Sequence, residues 1–192
     1  MDLVFATNNE NKLKEIQQLL GASINILSLK ELGCFDDIPE TGDTLEANAL
    51  QKARYIYERY GKNCFADDTG LEVDVLNGAP GVYSARYAGE EKSAEKNMDK
   101  ILSELQDVAH RNANFRTVVA LIIDGKEFFF EGKVKGSILK TRQGKEGFGY
   151  DPIFQPAGYS SSFAQMAMDE KNKTSHRGRA VKKLVKYLKN YL

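Results

Sequence analysis

Four short segments carry the side chains from which chemistry could be built. The first is Thr7-Asn8-Asn9-Glu10-Asn11-Lys12, which follows the apolar run Leu3 to Ala6 and precedes a helical pattern. A turn between a strand and a helix offers unsatisfied backbone N–H groups and the positive end of a helix dipole. With a lysine added, these are the ingredients of a phosphate cradle. The same residues also make an ordinary helix cap with a solvated first turn. A Walker A loop does not occur anywhere in the chain. The second segment is Asp67-Asp68-Thr69-Gly70. Neighbouring side chains on a strand point to opposite faces, so the two carboxylates need not share a task. One suits Mg²⁺, which prefers carboxylate oxygens and often bridges to phosphates. One can orient or deprotonate water, although the four residues are also good turn chemistry. Glu40, Asp43 and Glu46 add carboxylates for a metal, beside plainer readings as a loop charge and helix-cap charges.

The third segment, Gly147-Phe148-Gly149-Tyr150-Asp151-Pro152, sets an aromatic ring between two glycines. A ring so placed can stack on a base, worth about 1–3 kcal/mol in nucleic-acid binders; core packing is the alternative for Phe148 and Tyr150. The fourth is Lys171 with Ser175-His176-Arg177-Gly178 at the start of the last helical pattern. Ser175 reads as its cap, and His176 and Arg177 in the first turn could donate to a carbonyl on a base edge. The lysines beyond (Lys182, Lys183, Lys186, Lys189) lie opposite an apolar stripe and read as a solvated face. His110 has no partner at a telling spacing and reads as surface.

The elements that must position these groups follow from periodicity. Leu3 to Ala6 reads as a strand buried on both faces. Leu13, Ile16, Leu19 and Leu20 stripe a helix stopped at Gly21. A second helix over Leu45 to Tyr60 is capped by Asp43 with Glu46 and closed by Gly61. Cys64-Phe65-Ala66 reads as a strand delivering Asp67 and Asp68 at its C-terminal end, after which Gly70 turns the chain into a half-buried strand over 71–76. Residues 77–90 and 141–162 read as loops. Met98, Ile101, Leu102 and Leu105 mark a third helix. Phe115 to Ile123 and Lys126 to Val134 form a hairpin about Asp124-Gly125. Val181, Leu184, Val185 and Leu188 stripe the last helix. Helices around a sheet that contains a hairpin imply an α/β fold of mixed α+β character, with both parallel and antiparallel strands.

Composition excludes several classes. The chain has 192 residues, 42% apolar, with 27 basic and 27 acidic side chains. That length suits one domain, 1–192, or two closely joined lobes. Balanced charge disfavours a nucleic-acid partner. No apolar run approaches the ~20 residues of a membrane span, and no leader pattern precedes Leu3, so a cytoplasmic location is expected. Cys34 and Cys64 read as small core residues, with no Cys/His metal cluster.

In order and combination, the segments resemble the inosine/xanthosine triphosphate pyrophosphatase family (Ham1-like). The matching stretches are TNNENK at 7–12, ETG at 40–42 with EANA at 46–49, ADDTGLEVDVLNGAPGVYSARYAG at 66–89, GFGYDPIF at 147–154 and EKNKTSHRGRA at 170–180. The resemblance implies an elongated mixed sheet flanked by helices, in two lobes with a central nucleotide-binding cleft, and a homodimer. It implies hydrolysis of ITP, dITP and XTP to monophosphate and pyrophosphate, with Mg²⁺ as cofactor. Asp68 resembles the family's catalytic carboxylate, serving as general base and metal ligand, with Glu40 as the second metal carboxylate. Thr7 to Lys12 would grip the triphosphate, and Thr69, replacing a more frequent Ser, would keep a hydroxyl for the nucleotide. Phe148, Gly149, Tyr150, Asp151, Lys171, His176 and Arg177 would form the base pocket. Two departures are visible: Pro39 precedes Glu40 where many relatives have paired acids, and Gln165 stands where relatives often have Glu. Competing readings are a pyrophosphatase for modified pyrimidine or bulky nucleotides, a nucleotide-binding module without turnover, and an RNA-binding protein.

Overall fold

The computed structural model describes residues 2–20 and 24–191. Among these, six strands form one mixed sheet in the order β2-β1-β3-β4-β5-β6. Strand β1 (Asp2–Phe5) runs parallel to β2 (Asn25–Ser28), with Phe5 opposite Ser28. It is also parallel to β3 (Cys64–Val73), with Phe5 opposite Phe65. β4 (Asn112–Ile123) and β5 (Lys126–Ile138) are joined at Asp124-Gly125, where φ is 48° and 75°. Two successive positive φ values are what a tight two-residue hairpin turn requires. β6 (Phe154–Pro156) pairs antiparallel to β5, with Ser137 opposite Gln155. The expected mixed sheet with a hairpin is therefore present.

The chain divides into two compact units. Unit 1 comprises Met1–Asp68, Thr117–Gly132 and Arg177–Leu192, and unit 2 comprises Thr69–Arg116 and Lys133–His176. β3, β4 and β5 each contribute residues to both.

In unit 1, helix α1 (Glu10–Leu20) starts where Asn9 Oδ1 accepts from the N–H groups of Asn11 and Lys12 at 3.0 and 3.1 Å. The expected stop at Gly21 lies outside the described residues. A one-turn helix, α2 (Leu29–Leu32), follows β2 and is held by a reciprocal Ser28–Glu31 capping box. Helix α3 (Leu45–Tyr60) is capped by Thr44, whose side chain accepts from Ala47 N, and not by Asp43. The cap must be the extended residue just before the helix, and Asp43 lies one position too early. Gly61 closes α3 as expected. Helix α6 (His176–Tyr191) sends Val181, Leu184 and Leu188 into a core with Leu3, Ile16 and Leu121. In that core Phe5 and Phe65 stack with ring centroids 4.6 Å apart. Each such side chain contributes roughly 1.5–3 kcal/mol on burial.

In unit 2, helix α4 (Ala94–Glu104) packs Met98 and Ile101 onto Leu71, Val73 and Phe115. The stretches 77–90 and 141–162 are less loop-like than expected. They contain short 3₁₀ turns at Gly81–Arg86 and Asp151–Ile153, and β6. Helix α5 (Met168–Thr174) has no apolar stripe and was not expected. β3 also differs from expectation, because it continues through Gly70 instead of turning there. A Cβ on Gly70 would lie 2.6 Å from the Gly81 carbonyl oxygen, so glycine serves a close backbone approach. Cys34 and Cys64 are buried free thiols, His110 is exposed, and no described helix is long and apolar enough to cross a membrane.

Candidate active site

Unit 1 gathers a buried cluster of charge around the two aspartates. Asp67 and Asp68 lie within β3, not at its end. Strand alternation sends them to opposite sides, as their adjacency implies. Asp67 shares a face with Phe65, toward α1 and α6, and Asp68 shares one with Cys64 and Ala66, toward α3.

On the first side, Asp67 Oδ1 accepts from Lys12 Nζ at 3.0 Å and Oδ2 from Arg177 Nε at 3.0 Å. Arg177 also donates through Nη1 to Glu15 Oε2. The Asp67 and Arg177 side chains are 0% and 2% exposed, so no water competes for these bonds. Burial alone would raise the Asp67 carboxyl's proton affinity. Lys12, Arg177 and Lys52 outweigh burial and hold it far below the ordinary carboxylate range. Burial pulls Lys12 below its ordinary value, while Asp67 opposes that shift.

On the second side, Asp68 Oδ2 accepts from Asn48 Nδ2 at 3.1 Å, and Asn48 Oδ1 accepts from Gly42 N at 2.8 Å. Lys52, one turn along α3, pairs with Glu40. The segment carrying Glu40 is tied to the same helix by two bonds between Thr41 and Gln51, at 2.9 and 3.0 Å. The Asp68 carboxyl is raised above its ordinary value, chiefly by burial. Lys52 and Lys12 oppose the rise and Glu40 adds to it. Two neighbouring carboxylates are thus pushed apart in proton affinity, the arrangement that divides acid–base labour within a site. Against Lys12, Lys52 and Arg177 stand Glu15, Glu40, Asp67 and Asp68, which leaves one carboxylate in excess.

Unit 2 holds a second polar cluster. Lys171 Nζ donates to Asp151 Oδ2 at 2.6 Å, with both side chains 4% exposed. The same oxygen accepts from Phe148 N at 2.8 Å, and Lys171 Nζ lies 4.9 Å from the Phe148 ring centroid. Gly147 permits this: a Cβ there would come within 2.2 Å of Asp151 Oδ2. His176 is buried and stacks on Phe115, with ring centroids 4.4 Å apart.

The family model for the Ham1 family matches residues 3–187. The dITP/XTP pyrophosphatase of Flavobacterium psychrophilum is 57% identical over 190 residues, covering 99% of this chain and 100% of its own. That of Flavobacterium johnsoniae is 54% identical over 188 residues, covering 98% of each chain. The solved structure of the Staphylococcus aureus Ham1 protein superposes with a TM-score of 0.91 at 37% identity, covering 100% of both. The chain belongs to the Ham1 family.

In this Ham1-family chain the expected site residues fall into the two clusters. Unit 1 brings together Lys12, Asp67 and Asp68, with Glu40 on Lys52. Thr7, Asn8, Asn9, Glu10 and Asn11 form the turn at the head of α1, where Thr7 Oγ1 accepts from Asn9 N at 3.1 Å. Unit 2 brings together Phe148, Gly149, Asp151 and Lys171. Tyr150 is buried and spends its hydroxyl on Ser84 O at 2.7 Å. Arg177, expected in a base pocket, directs its guanidinium to Asp67 and Glu15.

Sequence reasoning missed Glu15, Asn48 and Lys52. The signal was present. Asn48 and Lys52 are spaced i, i+4 among Leu45, Ala49, Ala53 and Ile56, so two polar residues interrupt the buried stripe of α3. Glu15 similarly sits beside Ile16 on the buried face of α1.

Proposed function

We infer that the protein hydrolyses non-standard purine nucleoside triphosphates, ITP, dITP and XTP, to the nucleoside monophosphate and pyrophosphate. End-to-end relatives bearing the name dITP/XTP pyrophosphatase support the reaction. The observation that carries the chemistry is the pair of neighbouring aspartates on opposite sides of β3, Asp67 bonded to Lys12 and Arg177 and Asp68 to Asn48.

Cleavage between the α- and β-phosphates requires water to approach the α-phosphorus in line with departing pyrophosphate. Asp68 is the general base: a raised carboxyl takes a proton from water more readily than an ordinary one. Asn48 orients it, and Lys52 balances its charge and that of Glu40. The triphosphate is held by the Thr7–Lys12 turn, whose helix N-terminal N–H groups and Lys12 offset its charge. Thr69 gives the nucleotide a hydroxyl donor. Arg177 joins this scheme as the brace of Asp67, which in turn fixes Lys12.

Among the described residues no group of three or more His, Cys, Asp or Glu side chains is placed to hold a metal alone. Asp68 and Glu40, carboxylates on the α3 side with Asn48 and Lys52 as partners, suit Mg²⁺, which commonly takes one or two carboxylates and fills its remaining positions with phosphate oxygens and water. Asp68 and Glu40 would hold it. When bound, it supplies charge neutralisation on the phosphates.

Base choice rests on a 6-oxo acceptor, which inosine and xanthosine carry and adenosine replaces with an amino donor. Lys171, fixed by Asp151, and His176 are the donors in unit 2, and Phe148 with Gly149 supplies a stacking face. A pocket built around such a hydrogen bond can discriminate by ~10⁴. Residues 1–192 then act as one domain, an arrangement supported by the strands that run through both units. A cytoplasmic, homodimeric enzyme that cleanses the nucleotide pool is the accompanying reading. Val75 and Tyr83, 45% and 53% exposed in unit 2, are apolar surface that a partner copy would cover.

Chromatographic product analysis of ITP, XTP, dITP, ATP and GTP, with and without EDTA, tests the reaction. Monophosphate plus pyrophosphate from the first three and not from ATP, abolished by EDTA and restored by Mg²⁺, is expected. Release of orthophosphate, or turnover indifferent to EDTA, would contradict it.

A further inference from the structure

One buried serine joins the strand that carries Thr69 to the loop that carries the base-reading groups. Ser84, 7% exposed, lies in the 3₁₀ turn Gly81–Arg86 of unit 2. Its hydroxyl accepts from Leu71 N at 2.9 Å and donates to Gly81 O at 2.6 Å. Its carbonyl accepts from the Tyr150 hydroxyl at 2.7 Å. Tyr150 is itself 5% exposed and stands in the chain between Phe148 and Asp151. Asn97 of α4 braces the turn from behind, donating to Ala85 O at 3.0 Å and accepting from Ala88 N at 2.7 Å. The turn has no room to shift toward β3, because even a methyl at Gly70 would overlap the Gly81 carbonyl. Buried bonds of this kind have no water to replace them, so each holds its partners at one distance.

We propose that Ser84 is a positioning residue for base selection, registering the Phe148–Asp151 loop against Thr69 through Tyr150 on one side and Leu71 on the other. It touches no substrate. In a bound nucleotide the 6-oxo edge and the phosphate end take one separation, and Ser84 sets the matching length between the groups of unit 2 that read the base and the hydroxyl of Thr69. The Tyr150 hydroxyl serves this bridge and not the nucleotide. This proposal rests on the assignment of Lys171, Asp151 and Phe148 to the base.

The test compares kcat/KM for ITP with that for ATP in Tyr150→Phe, Ser84→Ala and the double variant. Tyr150→Phe removes one hydroxyl and leaves no cavity, so it serves even if Ser84→Ala fails to fold. Lys171→Ala tests the underlying base assignment, and Arg111→Lys controls for stability. Arg111 is buried in the same unit and donates to Leu105 O, Ile138 O and Leu139 O, away from these groups. Each of Tyr150→Phe and Ser84→Ala is expected to lower the ITP/ATP ratio about tenfold, mainly through KM for ITP. The double variant is expected to lose little more than either alone, since both act through one bridge. Arg111→Lys is expected to lower Tm and leave the ratio alone. An unchanged ratio in Tyr150→Phe, while Lys171→Ala collapses it, overturns the role of Ser84 and spares the base assignment. An unchanged ratio in Lys171→Ala overturns both.

Discussion

Replacing Arg177 with methionine separates two roles for that residue, brace and base reader. The guanidinium is 2% exposed and bonds to Glu15 and Asp67, whose side chains are 5% and 0% exposed. Removing it leaves both carboxylates buried without that partner, although Asp67 keeps Lys12 at 3.0 Å. Breaking a buried pair by deleting one side costs about 3–5 kcal/mol. In a chain of this size each kcal/mol moves Tm by roughly 2–4 °C. Arg177→Met should therefore melt about 6–20 °C lower in differential scanning calorimetry. Glu15→Gln on top of Arg177→Met should recover part of that loss, because one of the two stranded charges is gone. Turnover should fall for every nucleotide alike, since the brace acts through Asp67 and Lys12 on the phosphates. A fall in Tm under about 3 °C, together with a selective loss of ITP over ATP, would refute the brace and return Arg177 to the base.

Three further outcomes follow from buried titrating groups. Lys52 is the foremost charge opposing the upward shift of Asp68, so Lys52→Met should lower kcat and move the acidic limb of the pH–rate profile to higher pH; an unmoved limb would detach Lys52 from Asp68. Asp67 has a folded proton affinity below its unfolded value. Its contribution to stability is present above the unfolded carboxylate pKa of about 3.9 and is lost as pH falls below it. Urea melts should show this acid-side slope in the wild type and a weaker one in Asp67→Asn, and equal slopes would contradict the assignment. Burial pushes the Cys64 thiol up to about 12, so mass spectrometry should find Cys64 unalkylated by iodoacetamide near pH 8 in the native protein, with labelling only on unfolding.

What was legible in the sequence was what local pattern encodes. The stripes of α1, α3 and α6 and the positive-φ pair Asp124-Gly125 each lie within a single stretch of chain. β2 was not legible, because Asn25–Ser28 is short and owes its place to parallel pairing with the distant β1. α5 buries Lys171 and Asn172 rather than an apolar stripe, so no periodicity announces it. The continuity of β3 depended on Gly81 approaching Gly70 from eleven residues away. In the candidate active site the aspartates and Lys12 could be recognised by type and spacing. Asn48, Lys52 and Glu15 were hidden on helix faces that look apolar until their polar interruptions are matched to the strand they meet. Arg177 was found, but its partners were not, since Glu15 lies 162 residues away in the chain.

In the proposed reaction Asp68 activates the water while its neighbours hold the nucleotide. The most direct measurement pairs pyrophosphate release from ITP with calorimetric binding of ITP and Mg²⁺, on wild type and Asp68→Asn. Turnover lost by about 10²–10⁴-fold, with ITP still bound, is the predicted result, the size of a general-base contribution. A variant that releases pyrophosphate at near the wild-type rate would contradict the account.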